Sequence, residues 1–177
     1  MSSSVCTPCP HQHHWVPCHR RARTYAGVAV IALACPAVEV LGGLVSAGAM
    51  AGWYQSLAKP AWTPTEWPFG PVRAALYVAL AVAAGIVWFA RDREDVCGPL
   101  GYFGVLLAAT LAWSVFFFGF RSPLLGLLAL SVLWAATALT AVEFFRVSKA
   151  AGVLLVPYLL WITYAGVLNA DILLMNR

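Results

Sequence analysis

Hydrophobic residues in this chain run in long stretches with almost no charge, separated by short polar turns. A helix needs about 20 mostly apolar residues to cross a lipid bilayer. Five stretches approach or exceed this length, and only the first contains a charge, at Glu39. The pattern therefore predicts five membrane-spanning helices over residues 24–48, 74–90, 98–120, 122–142 and 150–170.

Lipid offers no partners to backbone polar groups, so only helices and closed β-barrels cross a membrane. Barrel strands alternate apolar and polar residues over about ten positions, and residues 104–113 show no such alternation. We therefore predict an all-α membrane protein, a five-transmembrane-helix bundle. The bundle is expected over residues 24–177, with residues 1–23 as a basic tail containing Cys and His.

The composition supports a protein whose main partner is the lipid bilayer. Of the 177 residues, 62% are apolar and 10% are charged, and the mean hydropathy is +0.79. Soluble domains carry about 25% charged residues. A net charge of +4, scattered along the chain, gives no nucleic-acid-binding face. We expect a multi-pass integral membrane protein; the sequence does not choose between a bacterial envelope and a mitochondrial, plastid or endoplasmic reticulum membrane.

The tail leaves two interpretations open. Thiolate and imidazole groups suit zinc or copper, but the ligands here are crowded into 14 residues with three prolines. The alternative is a disordered, processed or targeting extension. We favour the extension and assign no metal ligand. The residues concerned are Cys6, Cys9, His11, His13, His14, Cys18 and His19.

The loop between the first two spans is unusually rich in aromatic residues and proline. Residues 52–71 contain three Trp, one Tyr, one Phe and four Pro. Proline fixes φ and lacks an N–H donor, so the loop should be stiff without being helical. An interfacial belt at headgroup depth would explain some aromatic enrichment. The density on one loop favours a rigid aromatic cover over the mouth of the bundle.

Distinctive motifs stand in three separate places along the chain. They are Trp53-Tyr54-x-x-Leu57-x-Lys59-Pro60-x-Trp62-x-Pro64-x-x-Trp67 with Phe69-Gly70-Pro71-Val72 and Leu76-Tyr77, then Trp113-Ser114-Val115-Phe116-Phe117-Phe118-Gly119, and finally Val156-Pro157-Tyr158-Leu159-x-Trp161 with Leu168-Asn169. In these motifs and their order the sequence resembles the TspO/MBR family of translocator proteins and tryptophan-rich sensory proteins, which includes the peripheral-type benzodiazepine receptor. The resemblance extends from about residue 40 to residue 176.

The resemblance implies a membrane protein that binds flat lipophiles such as porphyrins, haem, sterols or isoquinoline-type drugs, as sensor, scavenger or carrier. No cofactor is required, and porphyrin or haem enters as a ligand. Aromatic walls suit a large π-surface, and a basic residue suits its carboxylates. Each single position could equally face lipid or pack in the core. By motif matching, the ligand-binding residues are Trp53, Trp62, Trp67, Arg73, Tyr77, Thr110, Trp113, Phe117, Trp161, Ala165 and Leu168.

Several positions depart from the family pattern. Arg73 replaces a Trp that, with the Trp matching Trp161, is linked in the family to light-dependent porphyrin breakdown. We therefore expect no enzyme, and keep that activity and a non-catalytic interaction subunit as alternatives. Arg73 could pair with a ligand propionate or extend to the headgroups. Leu106 and Thr110 replace two amides, which makes the pocket more apolar. No Tyr or basic residue follows Leu168-Asn169 until Arg177, so the proposed cholesterol motif is missing.

Two further features concern the spans themselves. Glu39 should face the bundle or water, since a carboxylate in hydrocarbon is costly, and could be protonated or paired with an arginine. Small residues recur every fourth position in the third span, at Gly104, Ala108 and Ala112. Such spacing lets helices approach closely. It predicts a homodimer interface, with packing inside the bundle as the alternative.

Overall fold

The computed structural model describes the backbone of residues 18–63 and 69–176, and the side chains of residues 25–63 and 70–176. This part of the chain is helical and contains no strand. Five of its helices are long and apolar enough to cross a membrane, which confirms the predicted five-helix bundle. The elements are α1 (Cys18–Met50), the one-turn α2 (Trp53–Ser56), α3 (Phe69–Ala90), α4 (Cys97–Ser114) with a π-helical segment (Val115–Gly119), α5 (Pro123–Val147) and α6 (Lys149–Met175).

The helices extend beyond the uncharged stretches from which they were predicted. Helix α1 begins at Cys18, within the predicted tail, and α5 and α6 each end five residues later than predicted. A charge near a helix end does not terminate the helix. Glu143 accepts a hydrogen bond from Arg146 at 2.6 Å within α5, and Asp171 is only half-buried within α6. Residues 1–17, with most of the candidate metal ligands, lie outside the described residues.

The five long helices pack side by side in a closed ring. Helix α1 packs against α3 and α4, α6 against α3 and α5, and α5 against α4. The order around the ring is therefore α1, α3, α6, α5, α4. Leu80, Leu106 and Phe144 are fully buried where the helices meet, while Val30 and Leu160 stay exposed on the outside. Exposed apolar side chains of this kind are expected on a surface that faces lipid.

The turn between α4 and α5 orients the two helices that carry much of the cavity described below. Arg121 adopts a left-handed φ of 52°. The Ser122 hydroxyl then accepts a hydrogen bond from Leu125 N at 3.4 Å, and Pro123 occupies the first turn of α5. Serine is a preferred N-cap and proline is favoured at the first helical position. The local sequence therefore ends one helix and starts the next within three residues.

Candidate functional site

A cavity of about 150 Å³ lies inside the ring, at the end of the bundle that carries the loop between α1 and α3. We call the described part of this loop, residues 51–63, the lid. All five long helices and the lid contribute to the lining. The side chains used below are Tyr54, Lys59, Arg73, Tyr77, Thr110, Trp113, Phe117, Phe118, Tyr158, Trp161, Tyr164, Ala165, Leu168 and Asn169.

A π-helical segment builds the aromatic wall. In a regular α-helix, neighbouring residues point about 100° apart, whereas a π-bulge widens the turn. Phe117 and Phe118 lie in this segment, and both are buried against the cavity. Their ring centroids are 4.7 Å apart. Trp113 stacks on Phe117 at 6.0 Å, with 21° between the ring planes. Three large rings from one helix end therefore form one continuous surface.

Glycine at position 126 allows α5 to approach this wall. A Cβ atom there would lie 2.5 Å from Cδ2 of Phe117 and 2.9 Å from Nδ2 of Asn169. Real Cβ atoms do not approach other atoms so closely, so any side chain would displace one of these residues. The backbone of α5 thus supports the wall from behind, at a position where only hydrogen fits.

The lid rests on the cavity through rings and one side-chain amide. Trp53 packs edge-on against Phe117 at 5.5 Å, and Trp62 against Tyr164 of α6 at 5.6 Å. The Lys59 ammonium lies 4.3 Å from the centre of the Tyr54 ring, within the range of a cation–π contact. Asn176, just after α6, forms two hydrogen bonds with the backbone of Ala58. Trp53, Trp62 and Ala58 therefore join the lid to the π-helical segment and to the C-terminal half of α6.

Four buried polar atoms on the lining have no hydrogen-bond partner in the described part of the chain: Tyr77 Oη, Trp113 Nε1, and both Nδ2 and Oδ1 of Asn169. By contrast, the Thr110 hydroxyl donates to Leu106 O at 2.9 Å and lies 3.0 Å from the Tyr158 hydroxyl. Because Thr110 has one proton, the Tyr158 hydroxyl is the donor in that pair. Buried polar groups normally have partners, so these four atoms are unused hydrogen-bonding groups of lining residues in the described part of the chain.

Arg73 of α3 and Glu39 of α1 form an ion pair between the two helices. Nε and Nη2 of Arg73 donate to the same Glu39 oxygen, Oε2, at 3.2 and 2.9 Å. The two side chains are 18% and 26% exposed. Arg73 lines the cavity. The arginine therefore points inward rather than to the headgroups, and its charge is compensated by the glutamate on α1.

Comparison with known proteins agrees with these motifs. The sequence model of the TspO/MBR family matches residues 30–175. The chain belongs to the TspO/MBR family. It is 39% identical over 146 residues to the tryptophan-rich protein TspO of Chlorobaculum tepidum, covering 80% of this chain and 90% of the relative. It is also 36% identical to the translocator protein of Sus scrofa (75% and 82% covered) and 34% identical to a tryptophan-rich sensory protein of Cereibacter sphaeroides (81% and 87%).

Membership of the TspO/MBR family and five apolar helices establish a multi-pass integral membrane protein. Of the residues predicted by motif matching, eight line the cavity together. Trp53 packs behind Phe117, and Trp62 is 45% exposed on Tyr164, so neither lines it. Trp67 lies outside the described residues. The eight are Arg73, Tyr77, Thr110, Trp113, Phe117, Trp161, Ala165 and Leu168.

Motif matching missed several lining residues. Tyr54, Lys59, Tyr158 and Asn169 all stand within the TspO/MBR motifs, and Tyr164 lies one turn beyond Trp161. The motif positions themselves were the available signal, since a helical step of three or four returns to the same face. Leu106 is fully buried in the core and does not line the cavity.

The small residues of α4 lie on the opposite, outward side of that helix. Gly104 and Ala108 are exposed, and Ala112 is half-buried. A Cβ atom at Gly104 would meet no atom within 4 Å. Packing within the bundle thus leaves Gly104 and Ala108 uncovered, and a second copy of the chain could approach α4 along this face.

Proposed function

We propose that the protein binds flat lipophilic molecules of the porphyrin, haem or sterol class in the cavity beneath the lid, and acts as a sensor, scavenger or carrier of them in tetrapyrrole or lipid regulation or stress responses. The observation that carries the proposal is the set of unpartnered polar atoms on Tyr77, Trp113 and Asn169. All three residues line one aromatic cavity. Such a site combines apolar walls with a few convergent polar groups, as ligand sites do.

The aromatic wall suits a planar ligand. Trp113 and Phe117 present nearly parallel rings, and offset stacking on such rings adds to the gain from apolar burial. The unpartnered O–H of Tyr77 and N–H of Trp113 are donors, which suits carbonyl or ester oxygens on the ligand. Relatives named translocator protein and tryptophan-rich sensory protein support a carrier or a sensor. The binding requires no cofactor.

Binding of a large ligand requires the lid to open. The cavity of about 150 Å³ matches a site known to hold a benzene-sized molecule, whereas pockets for drug-sized ligands measure roughly 300–1,000 Å³. A tetrapyrrole therefore enters only when the lid and its aromatic contacts move outward. The lid contacts are rings and two exposed hydrogen bonds, which can re-form around a ligand.

Fluorescence titration tests the proposal. Purified protein in detergent should show saturable tryptophan quenching by protoporphyrin IX or haem, at micromolar concentration or below. Tyr77→Phe should weaken binding of a carbonyl-bearing ligand by about three- to tenfold, since one buried hydrogen bond contributes about 1 kcal/mol. Tyr102→Phe, on the exposed face of α4, is the matched control. Quenching that rises linearly without saturation would contradict the proposal.

Light-dependent porphyrin breakdown is the second candidate. It is favoured by one observation: Trp113 and Trp161 both line the cavity, where an indole could meet an excited porphyrin. The titrated sample should be divided and kept dark or illuminated while the porphyrin absorbance is followed. If the wild-type sample loses porphyrin absorbance only in light, and Trp161→Phe loses none, the result would favour this enzyme activity over binding alone.

A further inference from the structure

We propose that this cavity fixes the orientation of an acidic ligand: the acidic edge lies at Lys59 in the mouth, and the Glu39–Arg73 pair reserves the inner end for neutral groups. This inference rests on the proposed function, because it concerns the ligand of the same cavity. It makes Lys59 and Glu39 specificity-determining residues. The ligand class is a flat lipophile whose carboxylates stand along one edge.

Arg73 does not offer a free positive charge to a ligand. Two of its nitrogens already donate to Glu39, and the pair together is neutral. Glu39 lies eleven residues before the end of α1 at Met50, which is about 16 Å along a helix. A ligand carboxylate placed beside this pair would leave one net negative charge at that depth in the membrane. An uncompensated charge within a spanning segment is costly.

Lys59 is placed differently. It belongs to the lid, is half-buried, and lines the cavity. In the described part of the chain its ammonium contacts the Tyr54 ring and no carboxylate. An ammonium over one ring keeps N–H donors for a further acceptor. A carboxylate bound there compensates the charge of the lysine, whereas beside Arg73 it would join a pair that is already neutral.

The neutral donors lie on the helices rather than on the lid. Tyr77, Trp113 and Asn169 offer an O–H, an indole N–H and an amide without partners. Neutral donors satisfy carbonyl, ester or ring-nitrogen acceptors without adding charge. Among the described residues, the polar atoms of the cavity are therefore sorted by charge: a lysine with no carboxylate partner on the lid, neutral donors on the helices and a self-compensated pair at Arg73.

Protoporphyrin IX and its dimethyl ester separate these roles, because they share one ring system and differ only in the two carboxyl groups along one edge. The measurement is the dissociation constant of each probe by quenching. Lys59→Gln should raise the dissociation constant of protoporphyrin IX by about three- to fivefold, the size of effect expected for a surface ion pair. The dissociation constant of the ester should change by less than about twofold. Lys149→Gln, exposed at the start of α6, is the control and should change neither probe.

Glu39→Gln should shift preference toward the acid over the ester by about tenfold, since it leaves Arg73 uncompensated. Glu39→Gln/Arg73→Gln, which removes both charges, should restore the wild-type ratio even if the single variant folds poorly. An unchanged ratio in both Lys59→Gln and Glu39→Gln would overturn the inference while leaving the proposed function intact. Failure of the wild-type protein to bind either probe would instead contradict the proposed function.

Discussion

The side-chain amide of Asn176 forms a pair of hydrogen bonds with the backbone of Ala58. Oδ1 accepts a hydrogen bond from Ala58 N at 3.0 Å, and Nδ2 donates to Ala58 O at 2.9 Å. Nδ2 also donates to Ile172 O at 2.8 Å, which fixes the amide on the last turn of α6. The amide thus pairs with both the N–H and the C=O of one backbone residue, 118 positions away along the chain. These two hydrogen bonds link the lid to the end of α6.

Asn176→Ala should loosen the lid. Two exposed hydrogen bonds would be lost, each with a net contribution of about 0.5–1.5 kcal/mol. Because they hold the closed form and do not contact the ligand, association and dissociation rates of protoporphyrin IX should both rise about fivefold, with a smaller change in affinity. Stopped-flow quenching measures both rates. Ser131→Ala, which removes a hydroxyl bonded to its own helix, should leave them unchanged.

Gly126→Ala should disturb the cavity wall and lower stability. The added methyl would overlap Phe117 and Asn169, and overpacking of this kind costs about 1–3 kcal/mol. The apparent unfolding temperature in detergent should fall and porphyrin binding should weaken. Gly85→Ala is the matched control, because its Cβ would meet nothing within 4 Å. Equal unfolding temperatures and equal porphyrin affinities in the two variants would show that α5 does not support the wall.

The Glu39–Arg73 pair should show strong coupling in thermal unfolding. Glu39→Gln or Arg73→Gln alone leaves an uncompensated charge and should destabilise the protein by about 1–3 kcal/mol. The double variant should recover much of the loss, since removal of both charges is often nearly neutral. The apparent unfolding temperatures of the four proteins form a double-mutant cycle. Additive losses would indicate that the two charges do not depend on each other.

We also propose that the protein forms a homodimer through the outer face of α4, at Gly104, Ala108 and Ala112. Close helix approach needs small residues, so Ala108→Leu should convert dimer to monomer. Ala135→Leu places the same side chain on the exposed face of α5 and should leave the dimer intact. Light scattering coupled to size exclusion, with the detergent contribution subtracted, gives the mass of the protein part. A monomeric wild type would exclude this interface in detergent.

The five helices were predictable because each span follows a simple length rule. Their ends were less predictable. The predicted spans stopped at charged residues such as Glu143, whereas α5 continues past it, and Glu143 accepts a hydrogen bond from Arg146 one turn later. Hydropathy records composition, and a charged residue does not by itself end a helix. The resemblance to the TspO/MBR family carried more information about the site than hydropathy, because its motifs named eight of the residues that line the cavity.

The partners within the site were only partly predictable. Pairing with an arginine is one of the alternatives predicted for Glu39, and the structure shows that pair, but Arg73 is 34 positions away and nothing in the sequence singles it out. For Arg73 itself, the sequence left a ligand carboxylate and the headgroups as alternatives. The motif predicts Trp62 in the pocket, yet Trp62 is 45% exposed, contacts the Tyr164 ring and is not among the residues that line the cavity. Tertiary packing decides which face of a loop residue is covered. A motif alone cannot state this.

The π-helical segment Val115–Gly119 has a consequence for how this site can be lost or retained in evolution. A widened turn depends on the number of residues in the helix, not only on their identity. Removal of Val115 alone would leave all the aromatic residues in the sequence. It would nevertheless rotate Phe117 and Phe118 relative to the rest of the cavity wall. The arrangement of the aromatic wall is thus encoded partly as chain length, and it can be lost through a single codon deletion that leaves the hydropathy profile nearly unchanged.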